Sequence, residues 1–272
     1  MSHGKLSTKV VLITGAAGGL GAALCRRYAA AGARIAALDL DAAKLDALTT
    51  SLRATGSEVL ALPVDITDAA ACKSAVTATL AQFGALDGLI NNAGISHRSL
   101  LADTDPDVIR RVMEVNFFGA ANLTQAALAQ ILARQGFIVA ISSVAGFSPL
   151  TGRTGYAASK HALHGFFDSL RSEVEGAGVD VTLVCPAFIR TGIGAAATDG
   201  SGAPASSPRI TSGGESSAEE IAQRIFNAVA AGRKLLLPDA TARKAWWLNR
   251  LAPGLYARIM KRRMGREFSG LR

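Results

Sequence analysis

Two hydrophobic patterns alternate along the chain. Short runs rich in Val, Ile, Leu and Ala are apolar at consecutive positions: Val10–Thr14, Arg34–Asp39, Glu58–Pro63, Leu86–Asn91, Phe137–Ser142, Val179–Cys185 and Lys234–Leu237. Between them, residues 19–31, 41–54, 68–83, 105–134, 155–176 and 218–231 read as helices. Strands apolar on both faces must be covered on both faces, which predicts a parallel sheet between helical layers. Right-handed crossovers then give a doubly wound α/β fold of about seven strands, with its ligand crevice beyond the carboxyl ends of the strands. Residues with chemistry collect at those ends: Thr14-Gly15, Asp39, Asp65, Asn91-Asn92, Ser142-Ser143 and Pro186.

One stretch breaks the alternation. Residues 192–217 are rich in Gly, Ala, Ser, Thr and Pro and have no helical period. They predict a long mobile loop hanging over the crevice, either a substrate lid or a disordered insertion. No composition break marks a second domain, so residues 1–240 are expected to form one domain and residues 241–272 a C-terminal extension. Val10 to Cys25 is an uncharged run after Lys5 and Lys9, like a signal peptide, but it contains four glycines. It fits a buried strand and a tight turn better. No apolar stretch is long enough to span a bilayer.

Composition narrows the class. Hydrophobic residues make up 49% and charged residues 18%, which excludes a disordered chain. Cys25, Cys72 and Cys185 are far apart and form no CxxC pair, so neither a disulfide scaffold nor a metal site is expected, and a reducing cytoplasm fits. The formal charge of +8 is unevenly placed. Nine basic residues and one acid follow Ala242, so the preceding 242 residues carry 20 of each sign. A body that is neutral overall is not that of a polyanion-binding protein.

The turn Thr14-Gly15-Ala16-Ala17-Gly18-Gly19-Leu20-Gly21 joins the first strand to the first helix. Glycines let the backbone bend sharply and approach a pyrophosphate at a helix N-terminus. Asp39 ends the next strand, 24 residues after Gly15, where a carboxylate can accept from both ribose hydroxyls. It would repel a ribose 2′-phosphate, and Ala16, Ala17, Leu40 and Asp41 offer no positive charge, so NAD(H) is expected over NADP(H). Asp65, with Ile66 beside it, reaches an adenine amino group, caps the next helix with Thr67, or does both.

Tyr156 and Lys160 are four residues apart and share a helix face. A phenol has a reference pKa of about 10, and a nearby ammonium and a nicotinamide cation lower it toward neutrality. Ser143, thirteen residues earlier at a strand end, can hydrogen-bond a substrate oxygen.

Together these motifs resemble the classical short-chain dehydrogenase/reductase family, over about Lys9 to Leu237. They are Thr14-Gly15-x-x-x-Gly19-x-Gly21, Asn91-Asn92-Ala93-Gly94, Asn116, Ser143, Tyr156-x-x-x-Lys160 and Pro186 to Thr191. The resemblance implies a Rossmann-type fold and an oxidoreductase acting on a secondary alcohol or ketone. Tyr156 would be the general acid/base, Ser143 would orient the substrate oxygen, and Lys160 would bind the nicotinamide ribose and tune Tyr156. Asn116 would hold a water linking Lys160 to solvent. Asn92 would brace the sheet and, with Ala93 and Gly94, line the cofactor site; Ile189 and Thr191 would meet the carboxamide. One departure is Pro186-Ala187, where the family usually has Pro-Gly. The resemblance also implies a homodimer or homotetramer, with helices 105–134 and 155–176 at the interface. A catalytically silent dinucleotide-binding regulator is the contrasting reading, disfavoured by the complete acid–base set.

Other residues have plainer readings. His161 and His164 are expected in packing or an interface, Arg110-Arg111 on a solvated or interface face, and Cys185 as an inert thiol. His97 and Arg98 read either as substrate contacts or as an exposed loop. In the extension, Pro253 divides two short helices, with Leu255 and Ile259 on one stripe and Tyr256, Met260 and Met264 on another. Such a segment, with Trp246-Trp247 and a basic face, either docks on the enzyme or lies on an anionic membrane; the second fits a peripheral enzyme of lipid-like alcohols. It carries no nucleic-acid motif.

Overall fold

The computed structural model describes residues 8–191, 194, 196–206 and 214–264. Seven strands form one parallel sheet: β1 Val10–Thr14, β2 Arg34–Asp39, β3 Val59–Pro63, β4 Gly88–Asn91, β5 Phe137–Ile141, β6 Asp180–Val184 and β7 Leu235–Leu236. Their order is β3-β2-β1-β4-β5-β6-β7. The order reverses between β1 and β4, and the crevice opens there.

The helices are α1 Gly19–Ala29, α2 Ala42–Arg53, α3 Ala69–Phe83, α4 Pro106–Met113, α5 Gly119–Ala133, α6 Thr154–Val174, α7 Ala218–Ala230, α8 Ala240–Leu251 and α9 Pro253–Met264. Alternate strand residues feed two cores. Val11 and Ile13 join Leu24 and Tyr28 of α1, Leu45 of α2 and Phe226 of α7 on one face. Val10 and Leu12 join Val76 of α3, Leu123 of α5 and Phe167 of α6 on the other. Each side chain is removed from water by a helix, at about 25 cal/mol per Å² of apolar surface.

The strand ends are shorter than the hydrophobic runs, because burial continues past the last ladder hydrogen bond. Asp87 illustrates this. It precedes β4, is fully buried, accepts from the backbone N–H of Val10 (2.9 Å), and is paired with Lys9 and Arg134, each at 3.0 Å. It ties together the amino ends of β1, β4 and β5.

The single helix expected over 105–134 is interrupted. A π-helical turn, Glu114–Phe118, lies between α4 and α5. Asn116 is drawn inward there by three hydrogen bonds described below, and the extra residue in the turn accommodates it.

The described part of the expected lid is held by backbone bonds rather than loose. Arg98 N–H donates to Thr198 (2.8 Å), Thr198 N–H to Ser96 (3.1 Å) and Asp105 N–H to Gly200 (2.8 Å). Residues 192, 193, 195 and 207–213 of that stretch lie outside the described residues, as do 265–272 of the basic extension. The extension forms two helices on either side of Ala252. Tyr256 and Met260 of α9 pack with Ala245 of α8 against Val144, Phe147 and Leu150, so this face docks on the enzyme. Trp247, Leu251 and Leu255 are exposed on the outer side. The side chain of Met264, assigned to the Tyr256 stripe, lies outside the described residues. No described helix is long and apolar enough to cross a membrane.

Candidate active site

A crevice of about 500 Å³ runs across the switch point. Gly15, Gly19, Leu20, Gly21, Asp39, Asp65, Ile66, Asn92, Ala93 and Gly94 line one end and the middle. Ser143, Tyr156, Lys160, Pro186, Ile189 and Thr191 line the other. Asn116, the other member of the expected catalytic set, does not line it.

The glycine turn fits a dinucleotide because it has no room for anything else of its own. Gly15 has φ +60°, and a Cβ on Gly21 would lie 1.9 Å from the Gly15 carbonyl oxygen. A Cβ on Gly19 would press on the Thr191 side chain at 3.1 Å. The bare backbone at the start of α1 is thereby open to a pyrophosphate. Asn92 locks the turn by donating from Nδ2 to the carbonyls of Thr14 (2.9 Å) and Gly15 (3.1 Å). Thr14 Oγ1 accepts from the N–H groups of Asn92 and Ala93, both at 2.9 Å.

Asp39 is aimed by the backbone. One oxygen accepts from Ala17 N–H (2.9 Å) and the other from Asp41 N–H (3.0 Å), leaving each with capacity for a ribose hydroxyl. It is not the cap of α2; Asp41 is, accepting from Lys44 N–H at 3.0 Å. The Lys44 ammonium is drawn to Asp41 at 2.7 Å. Asp65 likewise does not cap α3. Its Oδ1 accepts from the Thr67 N–H (2.9 Å) and hydroxyl (2.8 Å), bonds that hold its carboxyl below the usual range, with a smaller contribution from Arg111. Asp68 caps the helix.

At the other end, α6 carries Tyr156 and Lys160 on one face. Lys160 is buried, its Nζ donates to the Ile141 carbonyl at 2.9 Å, and it stands 5.7 Å from the centre of the Tyr156 ring. Burial pushes its pKa down to about 8. Ser143 Oγ accepts from Ala145 N–H (3.2 Å), which leaves its proton for a ligand in the crevice. Asn116 Oδ1 accepts from Ile95 N–H (2.8 Å), and its Nδ2 donates to the Ile95 carbonyl (3.0 Å) and Ser159 Oγ (2.9 Å). Only Gly94 separates it from Lys160: a Cβ at 94 would lie 3.2 Å from Asn116 Oδ1 and 3.5 Å from Lys160 Nζ.

Several residues differ from their sequence reading. His97 is fully buried rather than on an exposed loop. Its Nε2 accepts from Gly155 N–H at 3.0 Å, so its proton is on Nδ1, facing Ser99 Oγ at 3.2 Å. Burial first, and Arg153 second, push its pKa down to about 4. Folded His97 is neutral, whereas the unfolded imidazole takes up a proton below about 6.5, so its stabilisation is complete above that value and declines toward about pH 4. We expect His97→Gln to lose less melting temperature than wild type between about pH 7 and about pH 5, measured calorimetrically. Parallel declines would contradict this assignment.

Arg98 and Arg153 are buried and line the crevice. Arg111 is exposed, as its sequence reading on a solvated face expected, and also lines the crevice, where its charge acts on Asp65. Arg110 does stay outside, paired with Asp107 at 3.1 Å. His161 is exposed and bonds the Ala157 carbonyl. His164 is half-buried, with Nε2 3.0 Å from Ser142 Oγ and 3.4 Å from Cys185 Sγ. Cys185 therefore has an imidazole neighbour, but burial raises its thiol to about 12 and keeps it inert. Arg153, Leu150 and Phe188 also line the crevice and had no signal in local sequence; Leu40, Ser96 and Ala197 do too.

Comparison with known proteins agrees with this geometry. Residues 9–201 match the family model for short chain dehydrogenase. Dehydrogenase/reductase SDR family member 7B of Bos taurus is 41% identical over 266 residues, covering 95% of this chain and 82% of that protein. Dehydrogenase/reductase SDR family protein 7-like of Anopheles gambiae is 38% identical over 265 residues, covering 95% and 84%. A short-chain dehydrogenase/reductase from Burkholderia phymatum, solved in complex with NAD, superposes with a TM-score of 0.82 at 27% identity, covering 92% of this chain and 95% of that one. A glycine turn, an acid-ended second strand and a Ser–Tyr–Lys cluster on a doubly wound sheet thus have one common explanation: the chain belongs to the short-chain dehydrogenase/reductase family.

Proposed function

We propose that the protein interconverts a secondary alcohol and a ketone on a mostly apolar small molecule, using NAD(H). The observation that carries this reading is the convergence of Ser143, Tyr156 and Lys160 at one end of a crevice whose other end presents the glycine turn and Asp39. The turn from Gly15 to Gly21 would hold the pyrophosphate and Asp39 the adenosine ribose hydroxyls. Asp65 would meet the adenine, and Lys160 with Ile189 and Thr191 the nicotinamide end. When bound, NAD⁺ supplies the hydride acceptor, and NADH the donor.

The chain's own part is proton handling and positioning. Tyr156 as phenolate takes the alcohol proton; in the reverse direction the phenol returns it. Lys160, a buried ammonium below about pH 8, favours the phenolate by its charge. Ser143 donates to the substrate oxygen as negative charge grows there. With no side chain at Gly94 between them, Asn116 would hold a water that links Lys160 to solvent. The Ala187 N–H donates to Asp239, the N-cap of α8 (3.0 Å), so the backbone after Pro186 is fixed without a glycine.

Asp39 carries the choice of NAD(H). We expect Asp39→Ala to raise the ratio of kcat/KM for NADP⁺ over NAD⁺ by at least about tenfold, as a carboxylate facing a phosphate no longer repels it. The test is initial rates with both cofactors on any active alcohol. A wild-type preference for NADP⁺ would refute the reading directly. Two further properties are proposed on surface character alone. Exposed Phe118, against Phe117, which in turn packs on Phe166 of α6, suits a subunit interface along α5 and α6. The outward Trp247, Leu251 and Leu255, among the basic residues of the extension, suit peripheral contact with an anionic membrane.

A further inference from the structure

Behind Ser143 lies a second cavity, of about 310 Å³, roofed by α8 and α9. Ser143, Leu150, Ala187 and Phe188 line both this chamber and the main crevice. They are therefore the partition between the two. The chamber's own walls are Val144 and Ala145 from the loop after β5, Ala245 and Leu248 from α8, and Ile259 and Met260 from α9.

Two of the hydroxyls that line it are already paired with each other. The hydroxyls of Tyr256 and Ser148 bond each other at 2.9 Å, and Ser148 Oγ donates to the Val144 carbonyl at 2.8 Å. What the inner walls offer a ligand is apolar surface. Lys244 and Arg263, both exposed, stand at the rim. A volume of this size is that of a small ligand site in its own right, and the dinucleotide turn is at the other end of the crevice. A ligand whose reacting carbon is at Ser143 and Tyr156 has this chamber as its next apolar space.

We infer that the chamber under α8 and α9 receives an unbranched hydrocarbon chain of the substrate, so that these two helices measure chain length. This rests on the proposed alcohol–ketone chemistry at Tyr156. The chain enters past Leu150 and Phe188 and displaces nothing that needs a hydrogen bond. Each methylene buried there is held more tightly than in water, until the chamber is full. α8 and α9 thus act on specificity and leave the chemical step alone.

The test is a series of methyl alkyl ketones, ethyl through dodecyl, reduced with NADH by the full-length protein. We expect kcat/KM to rise about fourfold per added methylene, the ratio corresponding to about 0.8 kcal/mol, and then to level off. Two variants should move the plateau in opposite directions. Ala245→Leu fills the chamber and shifts it to shorter chains, and Met260→Ala enlarges it and shifts it to longer ones; activity on the ethyl ketone should stay within about twofold in both. Binding of the same ketones to the NADH complex, followed by Trp fluorescence and by melting temperature, gives a readout that needs no turnover. Trp246 is suited to report, its ring centre being 4.8 Å from that of Phe147 beside the chamber. Turnover with a flat length profile, or a profile unmoved by both variants, would overturn the chamber and leave the proposed chemistry standing. No turnover on any ketone, with binding that still rises with length and shifts in the variants, would overturn the chemistry and support the chamber. The absence of both turnover and length-dependent binding would overturn the inference.

Discussion

Tyr156→Phe leaves NADH binding within about twofold of wild type and lowers kcat by about 10²–10⁴, the span by which a positioned acid–base group contributes. The change removes one oxygen from a ring whose place on α6 is set by the helix. Its cause is chemical: the proposed mechanism gives the alcohol proton to the Tyr156 phenolate, while the Lys160 ammonium donates to the Ile141 carbonyl and Ser143 Oγ accepts from the Ala145 N–H. NADH titration by fluorescence separates binding from turnover. Normal turnover in this variant would remove the basis for the proposed mechanism, and loss of both binding and turnover would show that the ring serves the cofactor site instead.

Gly21→Ala is expected to cost about 1–3 kcal/mol or more of stability and at least about tenfold in NADH affinity. The added methyl would meet the Gly15 oxygen at 1.9 Å, the Gly15 carbonyl carbon at 2.8 Å and Ala16 Cα at 2.9 Å. All three are backbone, in the turn that must approach the pyrophosphate, so nothing flexible can give way. Either the turn opens or α1 lifts from β1, where Leu24, Cys25 and Tyr28 are fully buried. Gly84→Ala is the control. Gly84 has φ +71° at the end of α3 but nothing within 4 Å of its added carbon. It should cost about 1–2 kcal/mol of backbone strain without weakening NADH. Urea unfolding and NADH titration of both variants check the pair; equal losses of affinity would deny Gly21 its special place.

Most of this site was legible because its signals are local. The Gly15–Gly21 turn, Asp39 at a strand end and the four-residue spacing of Tyr156 and Lys160 all state their geometry within a single turn or helix. The strands were legible for a similar reason: burial on both faces leaves no alternation to misread. What sequence did not reveal depends on chain returning from far away. His97 is buried only because Gly155 donates to it and Arg98 is tied to Thr198 by the loop that comes back after β6. Arg153, three residues before Tyr156, faces the crevice through the way α6 begins, with no motif to announce it. The helix over 105–134 concealed its π-helical turn, since a hydrophobic period does not record the pull of Ile95 and Ser159 on Asn116. The extension was open between docking and lying on a membrane because each of its faces resembles one of those answers.

The Asp87 knot has an evolutionary consequence. It gathers the amino ends of three central strands, at the edge of the sheet farthest from any ligand. The residues that would decide a substrate lie at the opposite edge, in loops and in α8 and α9. Variation there can accumulate without loosening the ends the knot secures. A scaffold divided in this way is free to exchange one substrate for another while its folding is inherited unchanged. Selection should therefore act on the two edges at different rates: slowly on Lys9, Asp87 and Arg134, and quickly on Leu150, Ala245 and Ile259.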